Sequence, residues 1–483
     1  MKSKILNFIS LIMVFIVLSA TAVFSENDSQ GYVLRSSKGF TFEEMKQKAY
    51  EYEKNKPSFF GVVNAPVFEN KYGDQLDENS LLIYNVLDDN FDKLKNGKEE
   101  IVIKLKETVK SYSKEELSQS INMLAKDCFY ALGAFDYDKA SIFWINYNNI
   151  YAEVFYLEYT DGHFEVDEIV LRKNKEYDSY YLDDFKSADE DIINSVYDEL
   201  YTKIDEIVAK AESSGNKSIY DKLKYFNRWL VDNNEYNRYV SSNDKDKRKE
   251  ASKLAWTVIS GLLRGNTNLE NKENPVCEGY ARAFKMLCNK IGVECILVGS
   301  NDHMWNYVKM EDGNWYAVDV TWNDPIYNDG YIPSKEEVDV LSMKYFLVGQ
   351  NTINNDEETF ISTHKPSGTL KMSESKGFVY PYLQSERYEY REEQTETTTN
   401  SYEQTETTTQ DITDVEYILG DADGNGKLDL NDASLVLEYV LNNDKKMIDI
   451  KLDRINMKGE GKITAYDAAC ILKIVLDNKK VNY

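Results

Sequence analysis

The stretch from Gln384 to Tyr417 constrains the fold most, because it divides the chain. Its composition collapses into Thr, Glu and Gln, and the hexapeptide Gln-Thr-Glu-Thr-Thr-Thr occurs at 394–399 and again at 404–409. A segment of this composition has almost nothing to bury, so residues 384–417 are predicted to be an extended, solvated linker. We therefore expect separate modules on either side of it.

The first 25 residues have the order of an export signal. Two lysines stand near the start, an apolar run follows from Phe8 to Leu18, and small residues lead to Ser25. This order is typical of a cleavable secretory signal, and the run is shorter than the roughly 20 residues that span a bilayer. We therefore expect a secreted, extracellular protein without a stable membrane anchor.

Charge and cysteine content narrow the function classes. The 483 residues carry 57 Lys and Arg against 83 Asp and Glu, a net charge of −26. This acidity repels phosphate backbones, which argues against nucleic-acid binding. Five cysteines are too few for a disulfide scaffold and cannot all pair within the chain. Cys128, Cys288, Cys295 and Cys470 are interpreted as structural, and a disulfide between Cys288 and Cys295 is left open.

Residues 26–200 are predicted to form a mixed α/β region of unknown role. Capping boxes at Thr41–Glu44 and Ser113–Glu116 indicate two helix starts. Aromatic and β-branched residues from Ser141 to Leu171 favour strands, and helical spacing returns from Ala188 to Val231.

A further helix pattern begins at Cys277. Apolar side chains at 277, 280, 281, 284, 287 and 288 follow the spacing of one helix face, and Gly292 indicates the end of the helix. Cys277 is thus placed where unpaired backbone N–H groups and the helix dipole favour a thiolate. This makes Cys277 a candidate nucleophile, whose own N–H is expected to be one oxyanion donor.

A thiolate nucleophile needs a base, and His303 is the candidate. An alternating segment runs from His303 to Met310, the turn Glu311-Asp312-Gly313 follows, and a second strand pattern leads to Asp319. If Gly313 closes a three-residue loop, Asp319 lies diagonal to His303 on one side of the sheet. A two-residue loop would place Asp319 on the opposite face.

The other two histidines and three aromatic residues are predicted to have structural positions. His163 and His364 are expected at the surface, and the core is expected to hold Trp315, Tyr316 and Trp322.

Three motifs in residues 251–325 resemble the transglutaminase-like superfamily of papain-type thiol enzymes. They are C-E-G-Y-A from 277, H-x-W-N from 303 and W-Y-A-V-D-V-T-W-N-D-P from 315. The resemblance implies an α+β fold for residues 201–383, in which a helix bearing the cysteine packs on an antiparallel sheet bearing His and Asp. It also implies that Cys277, His303 and Asp319 form a catalytic triad.

These features predict a secreted thiol acyl-transfer enzyme. We favour a cysteine peptidase or amidase acting on a protein or peptide, because no residue marks a site for an amine acceptor. The alternatives are a protein cross-linking transglutaminase, a catalytically silent binding module and an accessory protein of polysaccharide degradation.

Residues 418–483 contain two loop-helix repeats. The first loop, 421–432, has oxygen donors at the positions of an EF-hand-type calcium loop. Its predicted ligands are Asp421, Asp423, Asn425, the backbone carbonyl of Lys427, Asp429 and Asp432. The second loop offers Asn456, Glu460, the carbonyl of Lys462 and Asp467. Because Lys458 stands where a donor is needed, calcium binding there is expected to be weak or absent.

The two repeats resemble a type I dockerin, through Asp at position 12 of each loop and an apolar helix after it. The resemblance implies a small all-α unit that folds around calcium and binds a cohesin domain of a scaffold protein. A cellulosome-like complex at the cell surface or on the substrate is therefore expected.

Overall fold

The computed structural model describes residues 34–55, 71–96, 99–176, 181–182, 190–215, 218–240, 242–264, 272–300, 302–324, 335–355, 358–366, 378–390, 420–423, 427–441, 455, 468 and 471–472. The predicted export signal lies outside these ranges. No helix among the described residues is long and apolar enough to cross a membrane.

The helices are α1 Phe42–Asn55, α2 Glu78–Asn90, α3 Lys114–Asp138, α4 Glu190–Ser213, α5 Ile219–Asn233, α6 Lys245–Lys249, α7 Cys277–Lys290, α8 Val320–Asn323, α9 Lys335–Leu341, α10 Phe360–Thr363 and α11 Leu430–Leu441. The strands are β1 Leu34–Thr41, β2 Ile101–Ser111, β3 Ile150–Glu158, β4 Phe164–Lys173, β5 Cys295–Gly299, β6 Met304–Lys309, β7 Trp315–Val318, β8 Ile353–Asn355 and β9 Glu358–Thr359.

The N-terminal part is a four-stranded antiparallel sheet packed against helices. The strand order is β1-β3-β4-β2, and α3 contacts α1, α2 and three of the strands. Both predicted capping boxes are present: Glu44 accepts the Thr41 N–H at 2.8 Å, and Ser113 accepts the Glu116 N–H at 3.1 Å. These local bonds fix where α1 and α3 begin.

A second antiparallel sheet, in the order β5-β6-β7, carries the hairpin predicted around Gly313. Asn306 pairs with Val318 and Lys309 with Trp315, and Gly313 has a φ of +77°. The Met310 N–H donates to the Asn314 carbonyl at 2.9 Å, which closes the three-residue loop. The three-residue register is confirmed, and Asp319 follows β7 immediately.

Two residues of the sequence motifs hold α7 against its surroundings. A Cβ on Gly279 would lie 2.3 Å from Ser260 Oγ and 2.6 Å from the Ala255 carbonyl oxygen, so the first turn of α7 needs glycine to pack this closely. Asn306, on β6, donates its side-chain amide to the Ala281 carbonyl at 3.0 Å. The start of α7 and the middle of β6 are therefore fixed relative to each other.

The N-terminal region and the second sheet share one hydrophobic core. Tyr72 donates its hydroxyl to the Leu297 carbonyl on β5, and Arg282 on α7 pairs with Asp136 on α3 at 2.7 Å. The compact unit extends to Glu392. The domain boundary predicted at residue 200 therefore does not separate two folded units.

The predicted linker begins too early. The Gln384 N–H donates to the Trp315 carbonyl at 3.0 Å, Arg387 donates to the Phe346 carbonyl at 3.0 Å, and the ring of Tyr390 stacks on that of Tyr220 at 4.5 Å. Arginine and tyrosine can bury their side chains, and the averaged composition of 384–417 conceals these few residues. Residues 384–390 thus belong to the folded unit, and 391–417 lie outside the described residues.

The outer edge of β7 is covered by Val348, Leu383 and Gln384, which come later in the chain. Ala317 exchanges backbone hydrogen bonds with Val348 at 2.8 and 2.9 Å, and Trp315 forms a parallel bridge with Leu383.

The C-terminal unit has a separate, small core. Its described buried apolar side chains are Ala422, Ala433, Val436, Ile455, Ala468 and Ile471. The helix α11 follows the first predicted calcium loop, as the repeat pattern indicates.

Candidate active site

Cys277 is the first residue of α7, and its side chain is half-buried. The other described cysteines, Cys128, Cys288 and Cys295, are buried free thiols, so the disulfide left open between Cys288 and Cys295 is not formed. Burial raises the pKa of the Cys128 and Cys288 thiols, which keeps both protonated. Of the described thiols, Cys277 is thus the one that a substrate could reach. Cys470 lies outside the described residues.

His303 lies between the thiol and a carboxylate. Its Nε2 is 2.5 Å from Asp319 Oδ2, and the Cys277 thiol is close enough to the ring to raise the pKa of His303. Because Nε2 is used by Asp319, the nitrogen that faces the thiol is Nδ1. The structure therefore brings together the three residues that the sequence motifs singled out.

The charges of this group support one another. Burial alone would lower the pKa of His303, but the charge and hydrogen bond of Asp319, with the Cys277 thiol, raise it to about 10. Burial alone would raise the pKa of Asp319. The charges and hydrogen bonds of His303 and His364 outweigh burial and hold the pKa of Asp319 well below its usual range. At neutral pH His303 is therefore an imidazolium held by a carboxylate.

Asp319 is fixed on every side. It is fully buried and caps α8, with Oδ1 accepting the Trp322 N–H at 3.0 Å. Its own N–H donates to the Tyr345 carbonyl at 3.0 Å. The carboxylate that orients His303 is thus itself held rigidly.

His364 is the residue that the sequence analysis misplaced. It was predicted at the surface, yet it is 1% exposed, and its Nε2 lies 2.9 Å from the same Asp319 Oδ2. Because a carboxylate only accepts, the Nε2 of His364 carries a proton. Its ring stacks on Phe360 at 4.1 Å. The polar flank Lys365-Pro366 suggested a surface loop, and no local pattern indicates a contact 45 residues away.

Trp322 is also placed differently from the prediction. Trp315 and Tyr316 are buried as expected, but Trp322 is 42% exposed. Its ring lies 5.7 Å from the ring of His303 and 4.5 Å from that of His364. Trp322 therefore borders the site and contacts solvent. His163 lies in the β3–β4 hairpin, distant in the sequence from these residues. Its ring stacks on that of Tyr159 at 4.2 Å.

Among the described residues, two groups of side chains have ligand atoms close enough for a metal ion. In the first, His303, Asp319 and His364 have ligand atoms within 4.8 Å of one another. These atoms already bond to each other, so we interpret the group as a hydrogen-bond network. The second group is the carboxylates of Asp421, Asp423 and Asp432, also within 4.8 Å. It brings together three of the ligands predicted for the first calcium loop.

In the described part of the first loop, backbone N–H groups donate to the Asp432 carboxylate. Its Oδ1 accepts the Ala422 N–H at 2.8 Å, and its Oδ2 accepts the Asp429 N–H at 2.7 Å. Asp429 in turn accepts the Asn431 N–H at 2.7 Å, and Lys427 is exposed. The remaining predicted ligands lie outside the described residues: Asn425, Asn456, Glu460, Lys462 and Asp467.

Comparison with known proteins assigns a superfamily to the central part of the chain. Residues 206–320 match the family described as Transglutaminase-like superfamily, and this range includes Cys277, His303 and Asp319. The central part of the chain is therefore similar to the transglutaminase-like superfamily.

Two curated relatives and one solved structure are similar to parts of the chain. Kyphoscoliosis peptidase of Homo sapiens is 28% identical over 180 residues, which are 34% of this chain and 23% of that protein. The Mus musculus protein of the same name is 26% identical over 155 residues, 29% of this chain and 19% of its own length. The chain thus spans less than a quarter of either relative. A solved structure described as a TGase is 17% identical, covering 36% of this chain and 44% of its own, with a TM-score of 0.21.

Proposed function

We propose that the transglutaminase-like domain is a cysteine peptidase or amidase that hydrolyses amide bonds in an extracellular protein or peptide. The observation that carries this proposal is the half-buried Cys277 thiol beside His303, which in turn hydrogen-bonds to the buried Asp319. Two relatives named as peptidases support hydrolysis over transfer to an amine.

In the proposed reaction, the Cys277 thiolate attacks the carbonyl carbon of an amide. The C–N bond breaks as the His303 imidazolium gives its proton to the leaving amine, which leaves a thioester on Cys277. The neutral His303 then takes a proton from water, whose oxygen attacks the thioester and releases the acid. Asp319 keeps the imidazole oriented and stabilises its charged form throughout.

Mass spectrometry can separate hydrolysis from cross-linking. Wild type and Cys277→Ala would be incubated with proteins from a culture supernatant, and the products searched for new chain termini and for isopeptide bonds. We expect new termini that depend on Cys277. Isopeptide bonds would instead identify a transglutaminase, and identical patterns for wild type and Cys277→Ala would mean that the thiol performs neither reaction.

Cys288→Ala is the matched control for this experiment. Cys288 lies on the same helix, is a buried free thiol and contacts neither His303 nor Asp319 in the described structure. It should cleave the same bonds as wild type once its folding has been verified.

We propose, in addition, that the C-terminal unit binds calcium through its first loop and attaches the enzyme to a cohesin-bearing scaffold. Support comes from the three carboxylates of Asp421, Asp423 and Asp432, because such a group of oxygen ligands suits a hard cation. The test is retention of the full chain on immobilised cohesin with calcium and its loss with a chelator. Retention in excess chelator would contradict the calcium dependence.

A further inference from the structure

The segment after α5 runs beside the residues that lead into Cys277. The Asn237 N–H donates to the Pro275 carbonyl at 3.1 Å, and the side-chain amide of Asn274 donates to the Glu235 carbonyl at 2.9 Å. These two bonds flank Tyr236 in the sequence. They hold it next to the start of α7.

Buried asparagines make this junction rigid. Asn237 is 0% exposed, and its side-chain amide donates to the Asn274 carbonyl at 2.9 Å and to the Lys272 carbonyl at 3.0 Å. Asn234, also buried, donates to the Gly261 carbonyl at 3.0 Å. These hydrogen bonds among buried groups give the backbone of residue 236 a defined position relative to Cys277.

The side chain of Tyr236 reaches the backbone of the nucleophile. The backbone N–H of Cys277 and the charges of Cys277 and Asp319 are all close enough to act on the pKa of the Tyr236 phenol. Because Cys277 is the first residue of α7, its N–H has no acceptor within the helix. The side chain of Tyr236 is half-buried against the core.

The phenol is a hydrogen-bond donor at neutral pH. Burial, the Cys277 charge and the Asp319 charge together raise the pKa of Tyr236 to about 12. Its O–H is therefore retained while the thiolate forms.

We propose that Tyr236 is a catalytic residue that supplies the second oxyanion donor for the reaction proposed above, on which this inference rests. When the Cys277 sulfur bonds to the carbonyl carbon, the π electron pair moves to the carbonyl oxygen. That oxygen accepts the Cys277 N–H, and the Tyr236 O–H donates to it without losing its proton. When the pair returns, the C–N bond breaks and His303 protonates the amine.

Acylation and alkylation of the same thiol separate this role from others. Acylation by p-nitrophenyl acetate passes through an oxyanion, whereas alkylation by iodoacetamide needs only the thiolate. In Tyr236→Phe we expect acylation to fall about 10²–10³-fold, the usual loss for one oxyanion donor. Alkylation should stay within about twofold, because no oxyanion forms in that reaction.

Tyr239→Phe is the matched control. Tyr239 lies three residues further along the same loop, where Lys247 packs over its ring at 5.0 Å. Both rates should equal those of wild type in this variant.

Three results would overturn the assignment. Unchanged acylation in Tyr236→Phe would mean that the hydroxyl is unused, and an equal fall in both rates would mean that Tyr236 acts on the thiolate. Faster acylation would identify the phenol as a plug that occupies the oxyanion position. The proposed function fails separately: if wild type and Cys277→Ala react equally with p-nitrophenyl acetate, the thiol is not the nucleophile and the role of Tyr236 falls with it.

Discussion

Asp319 and Asp432 are both fully buried carboxylates, but their surroundings differ. Asp319 accepts hydrogen bonds from two imidazole rings, one of which is cationic at neutral pH. Asp432 accepts backbone N–H groups and lies within 4.8 Å of the carboxylates of Asp421 and Asp423. The protein itself supplies the countercharge of Asp319. The three carboxylates of the loop suit the calcium ion proposed above.

The hydrophobic clusters beside the two sites also differ. The thiol site lies on elements of one large core, whereas the described core of the C-terminal unit consists of six apolar side chains, three of them alanines. The calcium binding proposed for the first loop would add to the folding stability of this unit. The comparison teaches that the first site should work without an ion and the second should not.

The largest effect is expected from His303→Ala, and chelation of the wild type is its companion test. Removing the base should lower kcat/KM about 10⁴–10⁶-fold, the range seen when a triad base is lost. Excess EDTA should leave the wild-type rate unchanged, because no step proposed for the thiol site uses a metal. A wild-type rate that collapsed in EDTA would break the distinction between the two sites.

Asp319→Asn tests whether the countercharge matters. We expect kcat/KM to fall about 10²–10⁴-fold, with residual turnover because His303 remains. In wild type, activity should decline at high pH through a pKa near 10, where His303 loses the proton that the leaving amine needs. Without the carboxylate charge this alkaline limb should move to lower pH. The measurement is kcat/KM against pH, and an unshifted limb would refute the coupling.

The same shift has a consequence for stability, with a definite sign. The folded-state pKa of His303 is raised above that of the unfolded chain, about 6.5. The stabilisation from this group is therefore complete below about pH 6.5 and is lost as the pH rises toward 10. Urea unfolding of wild type and Asp319→Asn at pH 6 and pH 9.5 should show the loss in wild type alone.

Asp421→Ala should affect the C-terminal unit and leave the thiol site unchanged. Calorimetry on the wild type is expected to show one tight calcium ion and one weak or missing. Asp421→Ala should weaken the tight ion about 10–100-fold, because a charged ligand is lost from the first loop. Asn456→Ala, in the second loop, should cost less scaffold binding. Two equal tight ions would contradict the assignment of the loops.

The smallest effect is expected from His364→Gln. His364 acts only through Asp319, so we expect a kcat/KM about 10-fold lower, equivalent to about 1.4 kcal/mol. As a positioning residue it should also shift the alkaline limb of the pH profile, which a purely structural role would not do. His163→Gln, which changes the histidine of the β3–β4 hairpin, is the matched control and should behave as wild type. Equal profiles for both variants would remove His364 from the network.

Sequence reasoning succeeded where the signal was local. The cysteine at the start of α7 and the capping boxes are set by residues within a few positions of each other. The register between β6 and β7 follows from one glycine in a three-residue loop, and that register places Asp319 beside His303.

The same reasoning failed where distant segments converge. His364 reaches Asp319 from 45 residues away, and Tyr236 reaches Cys277 through a loop held by asparagine side chains. Neither residue lies in a repeating apolar pattern, and nothing near His364 in the sequence distinguishes it from a surface histidine. Only the packed core brings these side chains to the site.

The covered edge of β7 sets where the folded unit can be cut. Its outward backbone hydrogen bonds go to Val348 and Gln384, and Leu383 forms a bridge with Trp315. The sequence analysis placed Leu383 at the end of one domain and Gln384 at the start of a linker. A chain trimmed at residue 383 would lose the bond from Gln384 and the contacts of residues 384–390. Ala317 would keep its two hydrogen bonds to Val348, so the strand would be opened only at its Trp315 end. An open strand end with apolar and aromatic side chains can pair with another copy, so we expect the trimmed chain to aggregate more readily.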